Sequence, residues 1–490
     1  MTAPAPDRPI RGARRPSVAV VGGGISGLVA LHHLARSGLV DVTLHEASAR
    51  LGGKILGGWL GDPGIPVELG PDGFVSRGSD LPQLCEAIGL GDELVAAAHG
   101  AVQIWSRGRL RTLPRGLVMG LPVHPLSLLR SRLLSVAELG RLSLDLVLPP
   151  TRSPGDVSIA ALVGTRLGRG AVDRLVEPLV GGVYAGTAES LGVDGALPGL
   201  RARLDGKRSL IRALRSGQPA VAPSMVTLRG GLTTLVEALR ADALARGARI
   251  RLDSAVRGLR PAAGGGYQLL DDGSRPVHHD AVVVATPASA ASALLAPLVP
   301  GVEPLGGVAY APVSVVALLY PATAVAGEPR GTGFLACRAD GGMLRACTWT
   351  DRKWPHLARD GVLLARCSMG GIGDRRPLEL DDGELAGRAH AELSDAVPLR
   401  QAPLDWRVAR WPTAIPQYAP GHRSLVESAR SHLPPGIRLA GAVYEGVGLT
   451  ACARQGRIAA QGVLDDLASL SHDRLAVSAA SGAERAAPPP

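Results

Sequence analysis

A four-residue apolar run, Val18–Val21, opens directly onto Gly22-Gly-Gly-Ile-Ser-Gly27. A stretch follows in which Leu28, Leu31 and Leu34 recur at helical spacing, closed by Gly38. Short buried strand, glycine turn and helix, followed by a second strand at Val42–Glu46, read as a βαβ unit. Gly22, Gly24 and Gly27 fit G-x-G-x-x-G. In that pattern the first glycine makes the tight turn and the second lets the backbone approach a pyrophosphate. The third lets helix and strand pack closely. The helix N-terminus then offers free N–H groups and partial positive charge to the phosphates. A glycine loop alone is a weak signal, but this one follows a strand and opens a helix, as the mechanism requires. Glu46 lies 22 residues after Gly24, at the strand end where a carboxylate takes ribose hydroxyls and repels a 2′-phosphate. A dinucleotide other than NADP is expected.

The chain has 490 residues, enough for several domain-sized units. Its net charge of +10 reflects either a basic surface with no special partner or attraction to something acidic. No Lys/Arg block interleaved with aromatics is present, so nucleic acid is not expected as a partner. Cys85, Cys337, Cys347, Cys367 and Cys452 form no CxxC pair, and HExxH is absent, so neither a metal site nor a disulfide framework is expected. The first 16 residues are polar and Pro-rich, and the apolar run after them is too short for a signal-peptide core. No stretch reaches the about 18 apolar residues of a transmembrane helix. A cytoplasmic protein without a transmembrane segment is expected.

The pattern along the chain predicts an α/β multidomain architecture. The dinucleotide-binding domain is expected from three segments, 16–75, 224–294 and 431–468. A substrate-binding domain is expected from 76–114, 201–223 and 295–430, and a helical subdomain from 115–200. The tails 1–15 and 469–490 are expected to be disordered. In the helical part, Ser135-Val-Ala-Glu138 reads as a capping box, and Pro149-Pro150 stops the helix it opens. Ser158–Leu167 and Ala171–Val180 read as further helices. The leucines of this part either line a core or make peripheral contact with a membrane surface. Downstream, a helix to Arg246 precedes a strand, a hairpin and the buried run before Thr286, all expected to extend the first sheet.

Arg50-Leu-Gly-Gly-Lys54 follows the acidic residue directly. It is similar to the R-x-G-G-[RK] of flavoproteins of the glutathione-reductase and amine-oxidase type, which implies FAD rather than NAD. With "VELGPDGF" (67–74), the chain closely resembles the porphyrinogen oxidases of haem synthesis. Further matching segments are "VEPLVGGVYAGT" (176–187), "LRGGLTTLVEAL" (228–239), "ACTWTDRKWPH" (346–356), "RWPTAIPQYAPGH" (410–422) and "AGAVYEGVGLTACARQGRIAA" (440–460). The resemblance covers about residues 16–468. It implies a Rossmann-like FAD-binding domain with a substrate domain and a helical subdomain.

The resemblance also implies the site. Gly22, Gly23, Gly24, Ile25, Ser26 and Gly27 hold the pyrophosphate, and Glu46 the ribose, with Ala47 beside it. Lys54 and the turn Gly70-Pro71-Asp72-Gly73 lie near the flavin. Val256 offers its backbone to the adenine, and Trp411 packs near the cofactor. Val447, Gly448 and Leu449 lie at the pyrimidine side of the ring, heading a helix whose dipole stabilises negative charge there. Arg77 pairs a substrate carboxylate, or is a solvated loop residue. Gly182 offers its carbonyl to pyrrole N–H groups, or is only part of a turn. No catalytic base is singled out, because the cofactor performs the hydride transfer. The implied activity is a six-electron oxidation in three rounds, with oxygen as acceptor and the porphyrin passed to a ferrochelatase. Two tetrapyrrole substrates stay open. The segments at 346–356 and 444–452 look most like the soluble Gram-positive type, which oxidises coproporphyrinogen III. Protoporphyrinogen IX is the alternative, since Arg77-Gly78-Ser79 lacks the extra basic residues often found in that type. More distant readings are another flavin amine oxidase or desaturase, which would lack the 177–186 and 347–350 segments, and a non-catalytic prenyl-binding relative.

Overall fold

The computed structural model describes residues 14–76, 80–114, 117–118, 120–123, 126–150, 155–215, 224–272, 275–327 and 329–485. The βαβ unit is formed by Ser17–Val21 (β1), Ile25–Ser37 (α1) and Asp41–His45 (β2). β1 is buried along its whole length, as a central parallel strand with both faces covered must be. β1 and β2 run parallel, with Val20 opposite Leu44. α1 stops at Gly38, whose left-handed φ of 67° lets its N–H reach the Ala35 carbonyl. Among the described residues the sheet has five parallel strands, in the order Arg249–Arg251, β2, β1, Ala281–Val284 and Ile437–Leu439. Leu28, Leu31 and Leu34 of α1 share one core with Leu235 and Leu239 of the helix Thr233–Ala245 and Val463 of the C-terminal helix. This is the Rossmann-like arrangement, assembled from three stretches of chain.

The expected hairpin forms but does not extend that sheet. Tyr267–Asp271 and Val277–His279 join Val256–Pro261 in a separate antiparallel sheet. The reason is connection length: a parallel neighbour needs a crossover of a dozen or more residues, and these links are short. Ala281–Val284, which follows, does enter the parallel sheet beside β1.

A second, seven-stranded sheet stands opposite. Its order is Asp405–Pro416, Tyr310–Pro321, Val362–Gly370, Leu344–Trp349, Gly333–Ala336, Val102–Ser106 and Arg109–Thr112. Neighbours are antiparallel except for the parallel pair Gly333–Ala336 and Val102–Ser106.

The helical part includes Val136–Ser143, Ile159–Leu167 and a run from Arg169 to Tyr184 with a π-helical stretch at Val172–Val176. The Ser135 capping box is closed: Glu138 N–H donates to Ser135 Oγ at 3.3 Å, and Ser135 N–H to the Glu138 carboxylate at 2.6 Å. That helix ends in a 3-10 turn at Leu144–Leu146, ahead of the two prolines. Most of its leucines are core, while Leu129, Leu144 and Val147 stay exposed. Leu210, Ile211 and Leu214 pack into the same core, so 201–215 extends the helical unit rather than the substrate sheet. The last helix, Leu449–Arg485, continues past 469, where a disordered tail was expected. Ala476, Ala479, Ala480 and Ala483, with Leu470, Leu475, Arg474 and Arg485, are good helix formers, and Pro enters only at 488, so helix continues. Among the described residues, no helix is long and apolar enough to cross a membrane.

Candidate functional site

A cavity of about 820 Å³ lies between the parallel sheet and the seven-stranded sheet. At one end the glycine loop builds its floor. Gly22 has φ +107°, and a Cβ there would meet the Ala285 carbonyl at 2.7 Å. A Cβ on Gly27 would fall 1.9 Å from the Gly22 carbonyl oxygen. Gly24 differs: its Cβ position meets nothing within 4 Å. Gly22, Gly24, Ile25 and Ser26 line the cavity, whereas Gly23 and Gly27 shape the loop from behind. The α1 N-terminus carries no acidic residue and no side-chain cap, so its N–H groups are available to an anion.

Glu46 braces this end. Its Oε2 accepts from Gly23 N–H at 2.6 Å, and its Oε1 from Ser48 N–H at 2.9 Å. Glu46, Ala47 and Val256 line the cavity, together with Ser254 and Arg257, which sequence reasoning missed. His45 Nδ1 lies 3.0 Å from Ser254 Oγ. The Thr286 hydroxyl, also missed, is buried without a protein partner in the wall next to Ala285.

The other end is lined by Lys54, Gly70, Pro71, Asp72, Gly73, Trp411, Val447, Gly448 and Leu449. The half-buried Lys54 ammonium stands 5.4 Å from the Tyr310 ring centroid, and burial lowers its pKa to about 8. Burial pushes the Asp72 carboxyl up, but Lys353, at 2.8 Å, and Arg366 outweigh it and hold it at about 2. The Trp411 indole N–H donates to the Leu69 carbonyl at 2.8 Å, which fixes the ring in the wall. Leu449 opens the C-terminal helix, so a helix N-terminus faces the cavity here too.

Gly182 lines the cavity from the last turn of Glu177–Tyr184, where carbonyls lack intrahelical partners. Arg77 lies outside the described residues. Two arginines that were not singled out stand on the seven-stranded sheet instead. Arg345 is buried and donates to the Gly370 carbonyl at 2.9 Å, the Gly342 carbonyl at 2.8 Å and Asp374 at 2.9 Å. Arg366 donates to the Glu68 carbonyl at 3.0 Å and to the Gly70 carbonyl. The available signal was a charged residue inside an otherwise apolar strand, as in Leu344-Arg-Ala-Cys-Thr-Trp349.

These features fit a flavin dinucleotide. An open cradle at Gly24, an unpartnered hydroxyl at Thr286 and a braced carboxylate are the donor and acceptor set that a pyrophosphate and a ribose require, and the cavity continues to a second, largely apolar end.

Comparison with known proteins agrees. The family described as flavin containing amine oxidoreductase matches residues 25–464. A coproporphyrinogen III oxidase of Bacillus subtilis (strain 168) is 32% identical over 473 residues, covering 92% of this chain and 98% of the relative. One of Mycobacterium leprae (strain TN) is 36% identical, covering 89% and 95%. Protoporphyrinogen oxidase 1, chloroplastic, of Arabidopsis thaliana is 29% identical, covering 88% and 85%. A crystal structure from Exiguobacterium sp. 255-15 superposes with TM-score 0.81 at 29% identity, covering 93% of this chain and all of that one.

Proposed function

The chain belongs to the flavin-containing amine oxidoreductases, and within that family we propose that it oxidises coproporphyrinogen III to coproporphyrin III. The observation that carries this reading is the continuity of the cavity, from a dinucleotide cradle to an apolar chamber edged by Arg345 and Arg366. That combination suits a macrocycle with carboxylate arms: apolar walls for the ring and guanidinium groups for propionates. FAD, when bound, supplies the hydride acceptor. The chain supplies binding and orientation. The N–H groups at the start of α1 hold the pyrophosphate, Glu46 the ribose and the Val256 backbone the adenine. Lys54 and the helix beginning at Leu449 bring positive potential to the far end of the cofactor. Trp411 and the Gly70–Gly73 turn position the ring, and Gly182 offers a carbonyl to pyrrole N–H groups.

Dioxygen is the acceptor in this reading, and each of three rounds releases hydrogen peroxide. Delivery of the porphyrin to a ferrochelatase rests on the resemblance alone. Protoporphyrinogen IX is the second substrate reading, favoured by the Arabidopsis relative. The test is anaerobic mixing of the yellow holoenzyme with coproporphyrinogen III. Without oxygen each flavin takes up two of the six electrons, so bleaching of the flavin band is expected first, and porphyrin fluorescence as oxygen is admitted and the flavin recovers. Porphyrin without bleaching, or neither signal, would overturn the proposal.

A further inference from the structure

A second cavity, of about 190 Å³, borders the first and has no role in the account above. Glu68, Thr227, Trp354 and His356 line it, and Asp72 and Arg366 line both cavities. Glu68 uses Oε1 to accept the Leu232 N–H at 2.6 Å, while Oε2 is buried without a protein partner. A carboxyl oxygen left open in a space that Asp72, Thr227, Thr233 and His356 also line, with room for several waters, is arranged for proton exchange rather than for bracing alone. The bracing bond to Leu232 would be made equally well by a glutamine.

The proposed oxidation creates a need for such a group. Each round removes a hydride from a meso carbon and a proton from a pyrrole nitrogen. Dioxygen later takes the hydride's two electrons and two protons, one from the hydride and one from the protein side, to leave as hydrogen peroxide. Between those events the proton must be stored or lost to solvent. Resting on the function proposed above, we infer that Glu68 stores it, as a neutral carboxylic acid, and returns it through the water of the side cavity past Asp72 and Arg366.

The surroundings suit this. Burial raises the Glu68 carboxyl to about 7; the Leu232 N–H opposes the rise, Asp72 adds to it and Arg366 opposes it. Asp72 stays ionised against Lys353. His356 is pushed down by burial and stays neutral near pH 7. The paired strand contributes Gly57, Gly58 and Trp59, none of which titrates, and the adjoining helix contributes the Thr233 hydroxyl. Glu68 acts here as a positioning residue for a proton, not as a group that touches the substrate.

The experiment has two arms on the holoenzyme. Infrared spectra of the resting wild type should show a protonated carboxyl band that titrates around pH 7 and is absent in Glu68→Gln. In stopped-flow, weakly buffered anaerobic reduction by coproporphyrinogen III above pH 7, a pH indicator should report proton release that lags flavin bleaching in the wild type and coincides with it in Glu68→Gln. Glu68→Asp should restore the lag. Flavin bleaching with identically timed proton release from wild type and Glu68→Gln would overturn this inference and leave the function standing. Absence of bleaching would overturn both. If the Gln variant fails to fold, wild-type spectra with 13C-labelled glutamate decide: no titrating glutamate band contradicts the inference.

Discussion

The two ends of the main cavity are built by different means. At the glycine-loop end the phosphate cradle is backbone and contiguous, Gly22–Gly27, braced by the Glu46 carboxylate and joined by Ser254 and Thr286 from farther along the chain. At the sheet end the contacts are side chains gathered from far apart: Asp72, Gly182, Arg345, Arg366 and Trp411. A backbone-built site constrains which residues can stand there at all, because a Cβ either clashes or does not. A side-chain-built site leaves its composition open and so carries specificity. Substitutions in the glycine loop should therefore act on flavin retention and folding, those of the sheet-borne arginines on substrate, and those of Lys54, Trp411 and the Gly70–Gly73 turn on both ligands.

The sharpest way to break that division lies inside the loop itself. Gly27→Val would drive a Cβ into the Gly22 carbonyl, so loss of soluble holoenzyme is expected. Gly24→Ala meets no protein atom, so the fold should keep its melting temperature while FAD is lost from the cradle. Flavin content against melting temperature separates the two; equal destabilisation by both would contradict the account. Next in size, Glu46→Ala removes charged hydrogen bonds worth about 1.5–3 kcal/mol each in general, and should raise the FAD dissociation constant at least about tenfold. Fluorescence titration of the apoprotein measures it.

At the other end, Arg345→Met should raise KM for the tetra-acid by about tenfold, near 1.4 kcal/mol, with FAD content unchanged, and should lower the melting temperature because the buried Asp374 carboxylate loses its Arg345 partner. Steady-state kinetics on reconstituted enzyme would show this. A fall in flavin content instead would mean that the two ends are not separable. The smallest effect is a pH dependence of stability. His279 is buried, neither ring nitrogen has a hydrogen-bond partner, and burial, then His45 and His278, lower its pKa to about 4. The unfolded imidazole binds its proton near 6.5, so its contribution is complete above that pH and is lost as pH falls toward 4. In thermal melts, the drop in melting temperature between pH 7 and pH 5 should be smaller for His279→Leu than for the wild type.

The same contrast explains what was legible in the sequence. The βαβ unit, its dinucleotide preference and the Ser135 cap depend on neighbours three to about twenty residues apart, and periodicity reports them. Strand pairing is not local, so the hairpin near 270 was assigned to the wrong sheet although its strands were read correctly. The helices at 200–215 were separated from the core they share because apolar spacing does not say which core a face meets. Arg345 escaped notice because a lone charge in an apolar strand does not say which cavity it faces, and Gly181 and Gly370 complete that cavity from other elements. The resemblance named residues that line the far end, such as Trp411 and Leu449, for which composition and spacing offered no argument.

The most direct test of the whole account is aerobic turnover of coproporphyrinogen III and protoporphyrinogen IX in parallel, followed by porphyrin fluorescence. A substantially higher kcat/KM on the four-carboxylate substrate is expected from a flavin cavity edged by Arg345 and Arg366. Preference for the two-carboxylate substrate, or no turnover of either by flavin-loaded protein, would contradict it.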